Sequence, residues 1–179
     1  MRKLVLLFAA LLVVGCGEKS SDSVTLPLSD ANVERLLKEA VEEDSLQYRD
    51  GLYYQPNESE PYNGWVKSMY DSGQVKGLGQ FKDGNQVGLF TVWRENGQKE
   101  GERTFKDGKR DGLTTTWHEN GQKWVEVTYK DGKLNGRATA WHENGQKMKE
   151  GTYKDGEEVS AKYWNSKGEE VETAEEAGK

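Results

Sequence analysis

An internal period of 24 residues constrains this chain more than any other feature. Gly64, Gly88, Gly112 and Gly136 are evenly spaced by that interval, and aligning on them defines four units, 64–87, 88–111, 112–135 and 136–159. Five residues into each unit lie Met69, Trp93, Trp117 and Trp141, and nine residues in lie Gly73, Gly97, Gly121 and Gly145. A second aromatic follows at Phe81, Phe105, Tyr129 and Tyr153, and then an Asp-Gly pair closes each unit. A shortened fifth unit occupies 160–167. Repetition at such a period marks an array of small supersecondary units, each stable only when stacked on its neighbours.

Each unit reads as a β-hairpin. Leu113-Thr114-Thr115-Thr116-Trp117 is β-branched and aromatic, which suits a pleated strand. Asn120-Gly121 supplies residues that tolerate positive φ, as tight hairpin turns require. Trp124 to Tyr129 forms the return strand, and Asp131-Gly132 turns the chain again. Both connections are too short for a helical crossover, so neighbouring strands are antiparallel. The predicted fold is mainly β: an elongated antiparallel meander of hairpin repeats over 51–167, with one short N-terminal helix. Trp93, Trp117 and Trp141, with Phe81, Phe105, Tyr129 and Tyr153, are read as the repeated core. The other reading of the Trp row is a stacking platform for sugar or another ligand.

Gly-x-x-x-x-Trp, the thrice-repeated Glu-Asn-Gly-Gln-Lys and Gly-Thr-Tyr-Lys-Asp-Gly together resemble MORN-repeat-variant proteins. The resemblance covers about 64–168 and extends to the lead-in Arg49 to Tyr54. Arg103 and Val127 depart from it, standing where other units have Gly79 and Gly151. The resemblance implies a β-repeat fold and a role in scaffolding at membranes or proteins. In bacterial relatives it also implies the antitoxin component of a toxin–antitoxin module, whose partner would be a toxin.

Ahead of the repeats, Arg2 and Lys3 precede an unbroken apolar run, Leu4 to Val14. Eleven helical residues span about 16 Å, too short for a hydrocarbon core of about 30 Å. A basic start and a short apolar run ending at small residues describe a secretory signal peptide, here 1–15. Val13-Val14-Gly15-Cys16 resembles the lipobox of bacterial lipoproteins, which implies cleavage between Gly15 and Cys16 and lipidation of Cys16. Cys16 is the only cysteine, so it has no intramolecular disulfide partner. Residues 16–28 read as a lipidated, polar tether. The expectation is an exported protein anchored to a membrane by lipid, at the outer membrane where the host has two.

Residues 29–50 read as a helical cap. Val33, Leu36, Leu37, Ala40 and Val41 share one face of a helix over 31–43, with Ser29 or Asp30 as its N-cap. Such a helix is marginal alone and is expected to dock on the first strands. The acidic end, 168–179, carries five Glu and little apolar matter, so it reads as disordered.

Charge and motif content exclude several functions. The whole chain has 25 basic and 31 acidic residues; without Arg2 and Lys3, 23 basic residues face 31 acidic, a net of −8. Residues 64–159 are nearly balanced, with 16 basic and 15 acidic groups. No basic footprint for nucleic acid is present. His118 and His142 occupy equivalent places two strands apart, about 10 Å, too far to share a zinc ion. No catalytic constellation, metal site or cofactor motif stands out, so the chain reads as non-enzymatic. Arg94, His118 and His142 share one offset and Lys99, Lys123 and Lys147 another. These two rows flank the Asn-Gly turns and form a candidate ribbon for an unknown protein partner. An enzyme or binder acting on envelope glycan is the remaining alternative.

Overall fold

The computed structural model describes residues 30–178. The signal peptide, Gly15, Cys16, the tether and Ser29 lie outside the described residues. The chain opens with helix α1 (Asp30–Glu39), strand β1 (Val41–Glu42) and a 3-10 turn at Glu43–Ser45. The hairpin β2 (Gln47–Arg49) and β3 (Leu52–Tyr54) follows. The repeat then supplies β4 (Gly64–Met69), β5 (Val75–Lys82), β6 (Asn85–Trp93), β7 (Lys99–Lys106) and β8 (Lys109–Trp117). It continues with β9 (Lys123–Lys130), β10 (Lys133–Trp141), β11 (Lys147–Lys154) and β12 (Glu157–Trp164). The chain closes with β13 (Glu170–Val171) and helix α2 (Ala174–Ala177).

Strands β4 to β13 pair in sequence order, each antiparallel to the next, and β1 joins the far side of β4 in parallel. The meander expected from the turn spacing is therefore present as one sheet. Its two long edges carry different turns. At Asp83-Gly84 both residues have positive φ, 48° and 74°, between the paired Lys82 and Asn85. This is the two-residue mirror-image turn that matches strand twist. The Asn-Gly turns are built differently from the expected tight turn. The Gly97 N–H donates to Arg94 O at 2.9 Å, and only Gly97 is left-handed, at φ 81°. Asn96 instead accepts the Gln98 N–H through its side-chain oxygen at 3.0 Å. Asn120 and Asn144 do the same for Gln122 and Gln146.

Two bulges per unit break the ladder. Trp117 pairs with Lys123 but Thr116 pairs with Val125, so Trp124 is an extra residue. Near the Asp-Gly edge, Asn135 to Arg137 span a gap that Thr128 alone fills on β9, with Gly136 at φ 111°. A residue with a Cβ is strained there, which accounts for the regular glycine that defines the unit.

The apolar core sits toward the ends of the sheet. Leu78 pairs with Lys67 and Val66 with Gly79, so Leu78 and Val66 face opposite ways. On one face Leu36 of α1 and Ala40 just after it cover Leu78, with Trp65 and Trp93 alongside. On the other, Tyr62, Val66 and Phe81 are packed by Val41, Leu46 and Tyr53. Beyond these, Ala177 is the remaining buried apolar side chain among the described residues, and the buried side chains of the second to fourth units are threonines, Thr91, Thr114, Thr115 and Thr139.

Two flanking expectations are corrected. The helix ends at Glu39, not at residue 43. Its last turn closes with the Ala40 N–H on Leu36 O, after which Val41 pairs with Val66 along the sheet edge. Val41 kept the helical spacing, but an open β4 edge offers backbone hydrogen bonds that one more helical turn does not. The acidic end is also structured. Val171 pairs with Tyr163, Thr173 caps α2 by accepting the Glu176 N–H, and Ala177 is buried.

Candidate functional site

Units are joined to one another by side chains as well as by strand pairing. Tyr70 donates its hydroxyl to Trp93 O at 3.0 Å, and Arg94 Nη2 donates to Trp117 O at 2.5 Å. His118 Nε2 reaches Trp141 O at 2.9 Å, and His142 Nε2 reaches Trp164 O at 3.0 Å. A carbonyl can only accept, so each imidazole carries its proton on Nε2. The first row of the candidate ribbon, Arg94, His118 and His142, is thus a series of donors into the next unit. Tyr70 is its first member, at the same offset in a unit that lacks the Trp. Asn120 and Asn144 add parallel bonds to Glu143 O and Ser166 O, at 2.6 and 2.7 Å.

The second row is equally engaged. Lys99, Lys123 and Lys147 place their ammonium groups 5.6, 5.7 and 4.9 Å from the ring centres of Trp117, Trp141 and Trp164. Each also pairs with the Glu three residues on, Glu102, Glu126 and Glu150, at 2.5, 2.5 and 2.8 Å. Hydrogen bonding and attraction from Lys147 hold the Glu150 carboxyl below the usual carboxylate range. An indole, an ammonium and a carboxylate therefore recur as a triplet spanning two units.

Of the seven aromatics read as repeated core, Phe81 is buried, and Trp93, Trp117, Trp141, Phe105, Tyr129 and Tyr153 are half-buried. A single-layer sheet has nothing to close over them in the middle units. Arg110 stacks on Tyr129 at 5.2 Å, and Phe105 meets Phe90 edge-on at 6.4 Å. Lys149 lies over Tyr153 and Tyr163 and pairs with Glu158. Burial alone would lower the Lys149 pKa. Its hydrogen bonds to Glu158 and Tyr153 outweigh that and raise it above the ordinary lysine value.

The extra residues at the bulges were not legible as a group. Of the four, Lys76, Glu100, Trp124 and Met148, the first three sit beside the donor of their own unit: Lys76 over the Tyr70 ring at 5.7 Å, Glu100 beside Arg94 at 3.7 Å, and Trp124 beside the His118 ring at 5.8 Å. Trp124 is 50% exposed and has no aromatic equivalent in the other units. A common offset was the available signal, but the four side chains differ in charge and size.

Among the described residues, no group of three or more His, Cys, Asp or Glu is placed to hold a metal ion, and no helix is long and apolar enough to cross a membrane. A cavity of about 520 Å³ lies between the acidic turn at 42–44 and the face of β5–β7. No curated protein matches the chain. Residues 86–107, 110–131 and 134–155 each match the family model for the MORN repeat variant, in frames that begin two residues before Gly88, Gly112 and Gly136, so Arg94, His118 and His142 each stand in one of three consecutive matched repeats.

Proposed function

We propose that this chain is a non-enzymatic interaction module held at a membrane by lipid on Cys16, and that its partner engages several units at once. MORN-type repeats make it a repeat-based module of the sort that contacts a protein or a membrane. The period carries the rest of the reading. Equivalent side chains in successive hairpins stand two strand spacings apart, about 10 Å, along one unbroken sheet. A partner ranged along that sheet gains from every unit it touches, so affinity rises steeply with unit number. The anchor rests on the basic start, the short apolar run and the lipobox-like Val13 to Cys16.

Labelling cells with an alkyne fatty-acid analogue tests the anchor. The chain takes up label and the Cys16→Ser variant takes up none; label kept by the variant removes the anchor from the proposal. Deleting residues 112–135 tests the module. Crosslinked partner recovered from membranes falls steeply against the intact chain but does not vanish. Equal recovery of the same partner would mean that binding does not run along the repeats.

A further inference from the structure

We propose that the cavity between residues 42–44 and the β5–β7 face binds a small zwitterion with an apolar body: an α-amino acid or a short peptide with free termini. The case begins with Arg103. At its offset the other units carry Gly79, Val127 and Gly151, so a guanidinium has been introduced where the repeat has no charge. Arg103 is half-buried, opposite Phe90 in the strand register, and lines the cavity. Among the described residues it has no hydrogen-bond or ion-pair partner. A partly desolvated guanidinium without an acceptor is costly, and a bound carboxylate would supply two acceptors to its planar fork.

The lining carries both signs of charge: Lys67 and Lys76 join Arg103, and Glu100 joins the acidic turn, but Lys67 is engaged with Leu37 O and Glu100 with Arg94. Glu42, Glu43 and Asp44 line the same cavity, and none forms an ion pair among the described residues. No ion pair joins any of them to Arg103, so both charges are open to a ligand in the cavity. Phe90 and Val92 supply an apolar lining between them. Phe90 is held in place because it covers Gly77 and Gly79; a Cβ on Gly79 would come within 2.3 Å of its ring. The volume falls within the usual range for small-ligand sites, about 300–1,000 Å³. A lining of mixed sign disfavours a simple anion or a simple cation alone. A molecule carrying an ammonium and a carboxylate on an apolar body gives the free carboxylates, Arg103 and the apolar side chains a partner each. Such a ligand sits at the junction of the first two units, so the site does not depend on any partner ranged along the repeats.

Calorimetric titration of the full chain tests this with leucine, dileucine, N-acetyl-leucine and leucine amide. Leucine or dileucine binds saturably at millimolar concentration or below, and which of them binds distinguishes amino acid from peptide. Acetylation, which removes the ammonium, and amidation, which removes the carboxylate, each weaken binding about tenfold or more. Arg103→Val, which installs the side chain of the third unit, weakens it equally with an unchanged circular-dichroism melt. If that variant does not fold, the exposed-turn variant Asp44→Asn, combined with Glu43→Gln, must show the loss instead. Absence of binding by both zwitterions, equal binding of N-acetyl-leucine, or unchanged affinity in a folded variant overturns the proposal.

Discussion

The tryptophans of the repeat work half in solvent. Trp117 supports Lys99 from the preceding unit, and Lys99 in turn holds Glu102. Truncating a fully buried large aromatic costs about 3–5 kcal/mol, and a half-buried one about half of that. Trp117→Ala should therefore lower stability by roughly 2 kcal/mol in urea unfolding. Lys99→Ala should cost about 1 kcal/mol or less, because its ion pair is partly exposed to solvent. Carboxyls supply the pH response. Asp111 accepts the Asp131 N–H, and Glu158 accepts from Lys149 and Tyr153; both are held below their ordinary values, as is Glu150. Folded values below unfolded ones give stability that is present above the unfolded pKa, about 4, and is lost as pH falls through the folded value. Melting temperature should therefore decline below about pH 4. Glu158→Gln should soften that decline, measured by thermal melts across the acid range. The Trp and Lys offsets were legible in the sequence. Their crossing from one unit to the next was not, because it depends on the bulge beside each Lys.

At the scale of elements, the hairpins were legible because glycine, β-branched residues and aromatics alternate at a fixed period. The turn types were legible only in part. Asp-Gly adopts the mirror-image turn, whereas Asn-Gly places Asn at negative φ and uses its side-chain oxygen to accept the backbone N–H two residues on. The closing α2 left a signal that its acidity obscured: Thr173 stands three residues before Glu176, a capping arrangement. The first unit differs from the rest because Phe90 rests on Gly77 and Gly79. Gly79→Ala should force that ring aside and cost about 1–3 kcal/mol. Gly101→Ala, whose Cβ would meet nothing nearer than 3.6 Å, should cost much less in the same melts.

The molecule as a whole is a sheet one layer thick over its middle, with apolar packing toward its ends. Stability in such a molecule comes from junctions between neighbours and is not evenly shared. Backbone amides of β4 and β5, covered on one face by α1 and on the other by Tyr62 and Phe81 packing, should exchange with deuterium most slowly. Amides of β8 to β10, which have no apolar cover, should exchange sooner, read by mass spectrometry of peptides. Equal protection along the sheet would contradict this account. The ends were the least legible region, because their cover comes from segments whose pattern fits helix, strand or coil until the open edge of the sheet selects among them.

The donors at the start of the turns that close on Gly73, Gly97, Gly121 and Gly145 all point the same way along the chain. Tyr70 serves the second unit, Arg94 the third, His118 the fourth, and His142 the partial fifth. The array therefore has a head and a foot that are not interchangeable: the head donates without being donated to, and the foot at Trp164 receives without passing the bond on. Lengthening by gene duplication then has a preferred site. A copied unit inserted between residues 111 and 112 meets a donor before it and an acceptor after it. The same copy appended beyond Trp164 separates β12 from the β13–α2 terminator. Growth and loss of repeats in proteins built this way should fall in the interior, leaving both end pieces in place.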